Sequence, residues 1–535
     1  MPLRVPSLAW LVVASFTGLA VSGGPCPAQS GRSKEPTVEY QSTILPGKKL
    51  KFDAQAIYSE EASVLQGFVG TTANDEINAL LVLPDGRVVA TGMLGDPVKG
   101  LPQVARRNVP GLSPGGTAFV AVFDARMRAM EWMASLGGEV GRGRKLALGA
   151  DGAVFLGADK SGASGMVVMK FAPGLERLIW RMDPPGDRIT GLGVLADQSC
   201  VVSAERTPFV YRVKADGSGL VPFGSAEALR IDLANADLAK RYWEELGYAE
   251  EGVRMQAALR GGVGGVVTTA DDGIVFFASH SIRLGGKEFG GAPDFDLMLA
   301  RFDTSGRVVW ASNLAAGIPN PSDHKLPRIA YDPHSGDILV SATQHGHFSR
   351  EQNLVLTEEA YLDVDRYFTG DIMIGWLARV DAATGKVKAS TYFFPDLQKP
   401  PEAGKRFASS LFPEALAADR EGRVYLTGVT GYKLATTLHA FQTDPMGSPG
   451  FLAVFDRDLG RLLHCSLITG RGYGVRGMAL ALASLGPVVA SAVSPGDPPV
   501  EAVVANAAKT NYLGPKPFGM QDAMLTLYPS ATWWE

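Results

Sequence analysis

Apolar and polar positions alternate along most of this chain in short runs, and clusters of Asp, Gly, Ser and Pro separate the runs. Alternation with a period of two predicts β-strands, and the Asp-Gly clusters predict tight reversals between them. "NALLVLPDGRVVATG" (78–92) shows the pattern: an apolar run, a polar turn and a Val-rich run. The same two-strand phrase returns at 145–158, 190–204, 264–279, 327–343, 413–428 and 477–492. A second phrase follows it. "TAFVAVFDARMRAMEWMASLGG" (117–138) has counterparts at 165–182, 208–223, 295–314, 373–394 and 450–468, the one at 208–223 poorly formed. "DAMLTLYP" (522–529) supplies only the first strand of a seventh copy.

Seven units of four strands predict a repeat architecture in which each unit buries its apolar faces against its neighbours. The last unit lacks its fourth strand, while "SVLQGFVG" (63–70) is a strand of the fourth kind that precedes any complete unit. Placing that strand in the last sheet closes a ring and removes the open edges. First strands rich in Ala and Gly, such as "GMALALA", suit a crowded axis, and Trp132, Trp180 and Trp310 on fourth strands suit a wide outer rim. The predicted fold is therefore all-β: a single seven-bladed β-propeller of four-stranded antiparallel blades, closed by an N-terminal strand. Residues 63–535 form it, 29–62 form an N-terminal extension, and "LAKRYWEELG" within 225–255 predicts a small helical insertion ending at a Gly247 cap.

The unit resembles the SBBP repeat, the seven-bladed β-propeller repeat of secreted bacterial proteins. "RVYLTGVTGYKLATTLHAFQTDPMGSPGFLAVFDRDLGRLLHCSLITG" (423–470) carries the resemblance furthest, including the Ala440-Phe441-Gln442 triplet. The resemblance spans roughly residues 63–529, strong in the first, fourth and sixth units and weak in the third. It implies a fold and an exported setting. It implies no activity, because propellers host many functions and this repeat has no shared catalytic residues to carry over.

Composition narrows the setting. The chain has 535 residues and a net charge of −4 with no block of like charge, which argues against a nucleic-acid or polybasic membrane surface. Residues 1–28 read as a cleaved secretory leader: Arg4, an apolar run from Leu8 to Val21, then small residues. The expected location is secreted or periplasmic, with no transmembrane segment in the mature chain. Pro25 before Cys26 disfavours a lipid anchor. Cys200 and Cys465 lie in separate strand-like runs, and their pairing stays open.

Tight turns join the strands within each phrase, whereas the other connections are long, at 94–116, 225–262, 280–294, 345–372, 395–411, 429–449 and 494–520. Alternating strand direction puts both long classes on one face, which becomes the expected binding face. His280, His324, His345, His347 and His439 fall there, and neutral imidazoles from neighbouring blades can hold a transition metal. Asp294, Asp296, Asp323, Asp363, Asp365 and Asp371 offer oxygen ligands for calcium, although no EF-hand spacing is present. Tyr361, Tyr367, Phe368, Tyr432 and Tyr512 can stack on sugar rings or a protein partner, or equally anchor their own loops. Nucleophile-elbow, His-Glu-x-x-His and phosphate-loop signatures are absent from the sequence. The expectation is a non-catalytic propeller that binds a protein, glycan or extracellular polymer. The alternative is a metal-dependent hydrolase, lyase or oxidoreductase built on the histidines.

Overall fold

The computed structural model describes residues 40–41, 49–50, 64–69, 74–95, 106–162, 164–205, 210–223, 263–281, 295–314, 324–345, 354–364, 367–368, 372–396, 406–431, 433–443, 448–468, 474–494, 508–511, 521–529 and 533. The chain divides into two units, Met1–Ala56 and Ile57–Glu535. In the first, Tyr40–Gln41 pairs antiparallel with Lys49–Leu50. The helix expected within 225–255 lies outside the described residues.

The second unit is a ring of seven antiparallel sheets. Blade 1 is Glu76–Val82, Val88–Met93, Ala118–Phe123 and Met130–Ser135, and blade 2 is Val140–Leu148, Val154–Lys160, Met166–Phe171 and Leu178–Met182. Blade 3 is Ile189–Val194, Cys200–Ala204, Val210–Val213 and Leu220–Phe223, so the poorly formed copy still makes both its strands. Blade 4 is Val263–Thr268, Ile274–Ser281, Phe295–Phe302 and Val308–Asn313. Blade 5 is His324–Asp332, Asp337–His345, Met373–Asp381 and Val387–Phe393. Blade 6 is Leu411–Ala418, Val424–Thr430, Gly450–Phe455 and Leu462–Ile468.

Blade 7 takes Gly474–Ala483, Gly486–Ser494 and Asp522–Leu527 from the C-terminal end of the chain and Leu65–Val69 from the N-terminal end. Leu65 pairs with Leu527 and Val69 with Ala523, which is the predicted closure. A fifth strand, Ala508–Asn511, pairs parallel with Leu65–Val69 on its outer side, where the sequence predicted only a loop.

The core lies between blades. Leu83, Val89, Val120 and Val122 of blade 1 pack on Leu156, Val167, Met169 and Phe171 of blade 2. At the axis the first strands approach so closely that a β-carbon on Gly191 would sit 2.2 Å from the backbone nitrogen of Val266 in the next blade. The tight turns use the Asp chemistry expected of them: the Asp303 carboxylate accepts the backbone N–H groups of Ser305 and Arg307 at 2.9 and 3.0 Å.

Two seams between blades repeat a polar contact. The Trp180 indole donates to Ala215 O at 2.9 Å and lies against Gly217 (φ +72°) in the third-to-fourth-strand turn of blade 3. Trp310 donates to Ala382 O at 3.0 Å and lies against Gly385 (φ +71°) in the matching turn of blade 5. Only glycine fits both demands, a left-handed backbone and a ring pressed on its α-carbon.

In blades 3, 4 and 5 a basic residue near the end of the third strand reaches toward the next blade, in blade 4 beside Trp310. Arg212, Arg301 and Arg379 donate to Thr304 O (3.2 Å), Ala382 O (2.8 Å) and Arg457 O (3.1 Å) of the following blades. Each is also paired with a carboxylate of its own first turn: Asp197, Asp271, and for Arg379 both Asp332 (2.8 Å) and Asp337 (3.2 Å). Arg379 and its two partners are each no more than 2% exposed.

Candidate binding face

The long connections emerge on one face, but their described parts do not stay there. From blade 1, Arg107 N donates to Met133 O at 2.8 Å, along the outer strand of its own blade. From blade 5, Thr357 and Leu362 bond to Ser390 and Thr391, and Tyr361 N reaches Leu459 O in a tight turn of blade 6 at 3.1 Å. From blade 6, Thr437 and Gln442 bond to Cys465, Ser466 and Leu467. The sequence placed this length on the face as decoration. In blades 1, 5, 6 and 7 part of it instead covers the outer strand, whose unpaired N–H and C=O groups are otherwise an open edge.

Among the described residues, an open part of that face lies over blades 1 to 3. A cavity of about 530 Å3 there is walled by Arg142, Arg144, Asp159, Lys160, Arg188 and Glu205 among others. Arg144 Nε bonds Asp159 Oδ2 at 2.7 Å, and the other oxygen of Asp159 accepts Ile189 N at 3.2 Å, so this carboxylate is fixed by both blades 2 and 3. Arg142 pairs with Glu76 at 3.4 Å, and burial holds its guanidinium below its ordinary pKa. Lys160 pairs with Asp183 at 2.8 Å, and Arg188, 61% exposed, with Glu205 at 3.5 Å. The walls present both signs of charge on fixed strand ends, an arrangement suited to hydroxyl, carboxylate and amide groups of a polar ligand. "VGRGRKLALGA" (140–150) was the available signal: it puts two arginines, Arg142 and Arg144, at the start of one first strand.

Beneath the mouth runs the central channel, about 260 Å3, lined by the first strands of all seven blades, including Asn78, Lys145, Arg328, Glu414 and Met478.

The described histidines lie on blades 4, 5 and 6. His280 is paired through its backbone with Asp296 in blade 4. His324 pairs with Gln344 and His345 with Met373, so these two stand at adjoining positions at one end of blade 5, with His345 half-buried. His439 is half-buried in the connection along blade 6, near buried His464, and His347 lies outside the described residues. Among the described residues no three His, Cys, Asp or Glu side chains gather in a metal-binding group. Asp363 is described and half-buried, while Asp294, Asp323, Asp365 and Asp371 lie outside.

Of the aromatics, half-buried Tyr361 packs edge-on against Phe455 (centroids 5.9 Å) and tilted against Phe393 (6.4 Å), tying its loop to the seam of blades 5 and 6. Tyr367–Phe368 pairs parallel with Arg406–Phe407, and Tyr432 and Tyr512 lie outside the described residues. Cys200 and Cys465 are both buried and free, in blades 3 and 6, and burial pushes the Cys200 thiol up to about 12. Among the described residues no helix is long and apolar enough to cross a membrane.

The structure defines the class as a seven-bladed β-propeller. No family model matches the chain, and no curated protein matches it. Solved structures similar to it include the Kuenenia stuttgartiensis hydrazine synthase at 13% identity, covering 79% of this chain and 94% of that one, with a TM-score of 0.43. The WD40 repeats of RRP9 (8% identity, 87% and 98% coverage) and the structure of U3-55K (9%, 87% and 99%) have the same TM-score of 0.43.

Proposed function

We propose that this chain is an exported binding propeller of the SBBP kind, which holds a protein, glycan or extracellular polymer at the polar mouth over blades 1 to 3. The carrying observation is the 530 Å3 cavity walled by paired but accessible charges on strand ends that three blades hold in place. Rigid strand ends position such groups better than loops do. The leader-like residues 1–28 support export, and the repeat resemblance supports a bacterial, secreted setting. Glycan and exported-protein arrays, probed with the full chain and with Arg188→Ala/Glu205→Ala, test the reading. The expected result is capture of a polar polymer or protein that the double variant loses, with its melting temperature unchanged. Capture that survives the double variant would move the binding site elsewhere.

A further inference from the structure

The charges around the axis do not balance. Arg144 has Asp159 and Arg142 has Glu76, at 2.7 and 3.4 Å. Lower in the channel, Glu414, 4% exposed, is shared by two guanidinium groups, Arg328 at 2.6 Å and Arg476. Lys145 lines the same channel from blade 2 and, among the described residues, has no carboxylate within ion-pair reach. Three cations thus face one carboxylate around the axis, with Lys145 and Arg328 half-buried and the Arg476 side chain 47% exposed. A half-buried ammonium without a counter-charge carries a desolvation cost that an anion beside it would offset. The Asn78 side chain, on the same channel wall, spends its amide N–H on Gly143 O at 3.0 Å and leaves a buried carbonyl oxygen without a donor.

We propose that the central channel binds a small oxyanion, a phosphate, sulfate or carboxylate, on Lys145 of blade 2 with Arg328 of blade 5 contributing to its field. The 260 Å3 channel has room for such a group and excludes a folded partner. Burial and the nearby Arg328 and Arg144 push the Lys145 ammonium down to about 8, the strain that an anion would relieve. The site is separate from the charged mouth above it and does not depend on any macromolecular partner.

Calorimetric titration of the full chain with sodium phosphate, sulfate and acetate at constant ionic strength tests the proposal. Saturable one-site binding of at least one of these is expected, weakened about tenfold or more by Lys145→Met, as for loss of a charged hydrogen bond. Lys145→Gln should weaken it similarly, and both variants should keep or raise the anion-free melting temperature. Arg188→Ala, at the mouth, should leave the affinity unchanged. Absence of saturable binding for all three anions, or equal affinity in folded Lys145→Met or Lys145→Gln, would overturn the proposal. Loss of binding in Arg188→Ala with Lys145 variants unaffected would also overturn it, placing the anion in the outer cavity.

Discussion

The seam between blades 4 and 5 and the seam between blades 6 and 7 solve the same problem with different residues. At the first, Trp310 and Arg301 both donate to Ala382 O in a turn of blade 5. In blade 6 the equivalent register positions hold His464 and Val454. Blade 7 has no third-to-fourth-strand turn to receive them, because its fourth strand arrives from the other end of the chain. The C-terminal residues fill the place: Trp533 stacks on His464 with centroids 4.2 Å apart and planes 8° apart, and Phe441 and Tyr528 pack around them. A seam inside the ring is held by hydrogen bonds to a turn, whereas the closing seam is held by stacked rings. His464 is 1% exposed and neither ring nitrogen has a hydrogen-bond partner, so the closing seam carries a polar group that it does not satisfy.

Breaking the closure itself should have the largest effect. Deleting residues 65–69 exposes the third strand of blade 7 and should abolish the cooperative melting transition, whereas deleting residues 29–45 should leave it in place; matching melting curves would refute closure by this strand. Next in size is Arg379→Met between blades 5 and 6. It strands Asp332 in the interior, leaves Asp337 only Lys388 at 2.6 Å, and should cost about 3–5 kcal/mol in denaturant unfolding. Trp180→Ala should cost about 3 kcal/mol, because the ring is 9% exposed, and Trp310→Ala less, because it is only half-buried. The reverse order would show that burial does not set the difference, since both rings make the same hydrogen bond to a turn.

The closing seam should also respond to acid. Burial holds the His464 imidazole neutral down to about 3, against 6.5 for a free histidine, so the unfolded chain binds more protons between those values. The stability present above pH 6.5 should therefore fall as the pH drops toward 3, at about 1.4 kcal/mol per pH unit from this group. His464→Phe should remove that slope and leave the chain about 2 kcal/mol more stable than the parent at pH 5, relative to their difference at pH 7. Superimposable stability profiles from pH 7 to 5 would count against a buried neutral imidazole. Asp332 works further down the scale: hydrogen bonds from Arg379 and Ser335 lower its pKa, so its contribution is present above the ordinary carboxylate range and lost below it.

Blade number, strand order and closure were legible because one periodic phrase repeats with its turns, and a surplus strand at one end matches a deficit at the other. The crowding at Gly191 and the outward Trp180 were legible for the same reason. The descent of long connections along outer strands was not, since Thr437 and Gln442 look like ordinary loop residues until Cys465 and Leu467 lie beside them. The candidate mouth was not legible, because long loops announce themselves by length and strand ends do not. Its residues stand at strand ends, and their mark in the sequence is the pair Arg142 and Arg144 at the start of one first strand.

The pairing of Leu65 with Leu527 also sets an order of events during synthesis. The strand made first can find its partner only after the last blade has been made, so the ring stays open while nearly all of the chain is produced. Contacts this distant in sequence slow folding and leave strand edges exposed meanwhile. The covering connections of blades 1, 5 and 6 are available earlier, each as soon as its own blade is complete. They would shield the outer strands of a half-built ring from pairing with one another while it waits for its final partner.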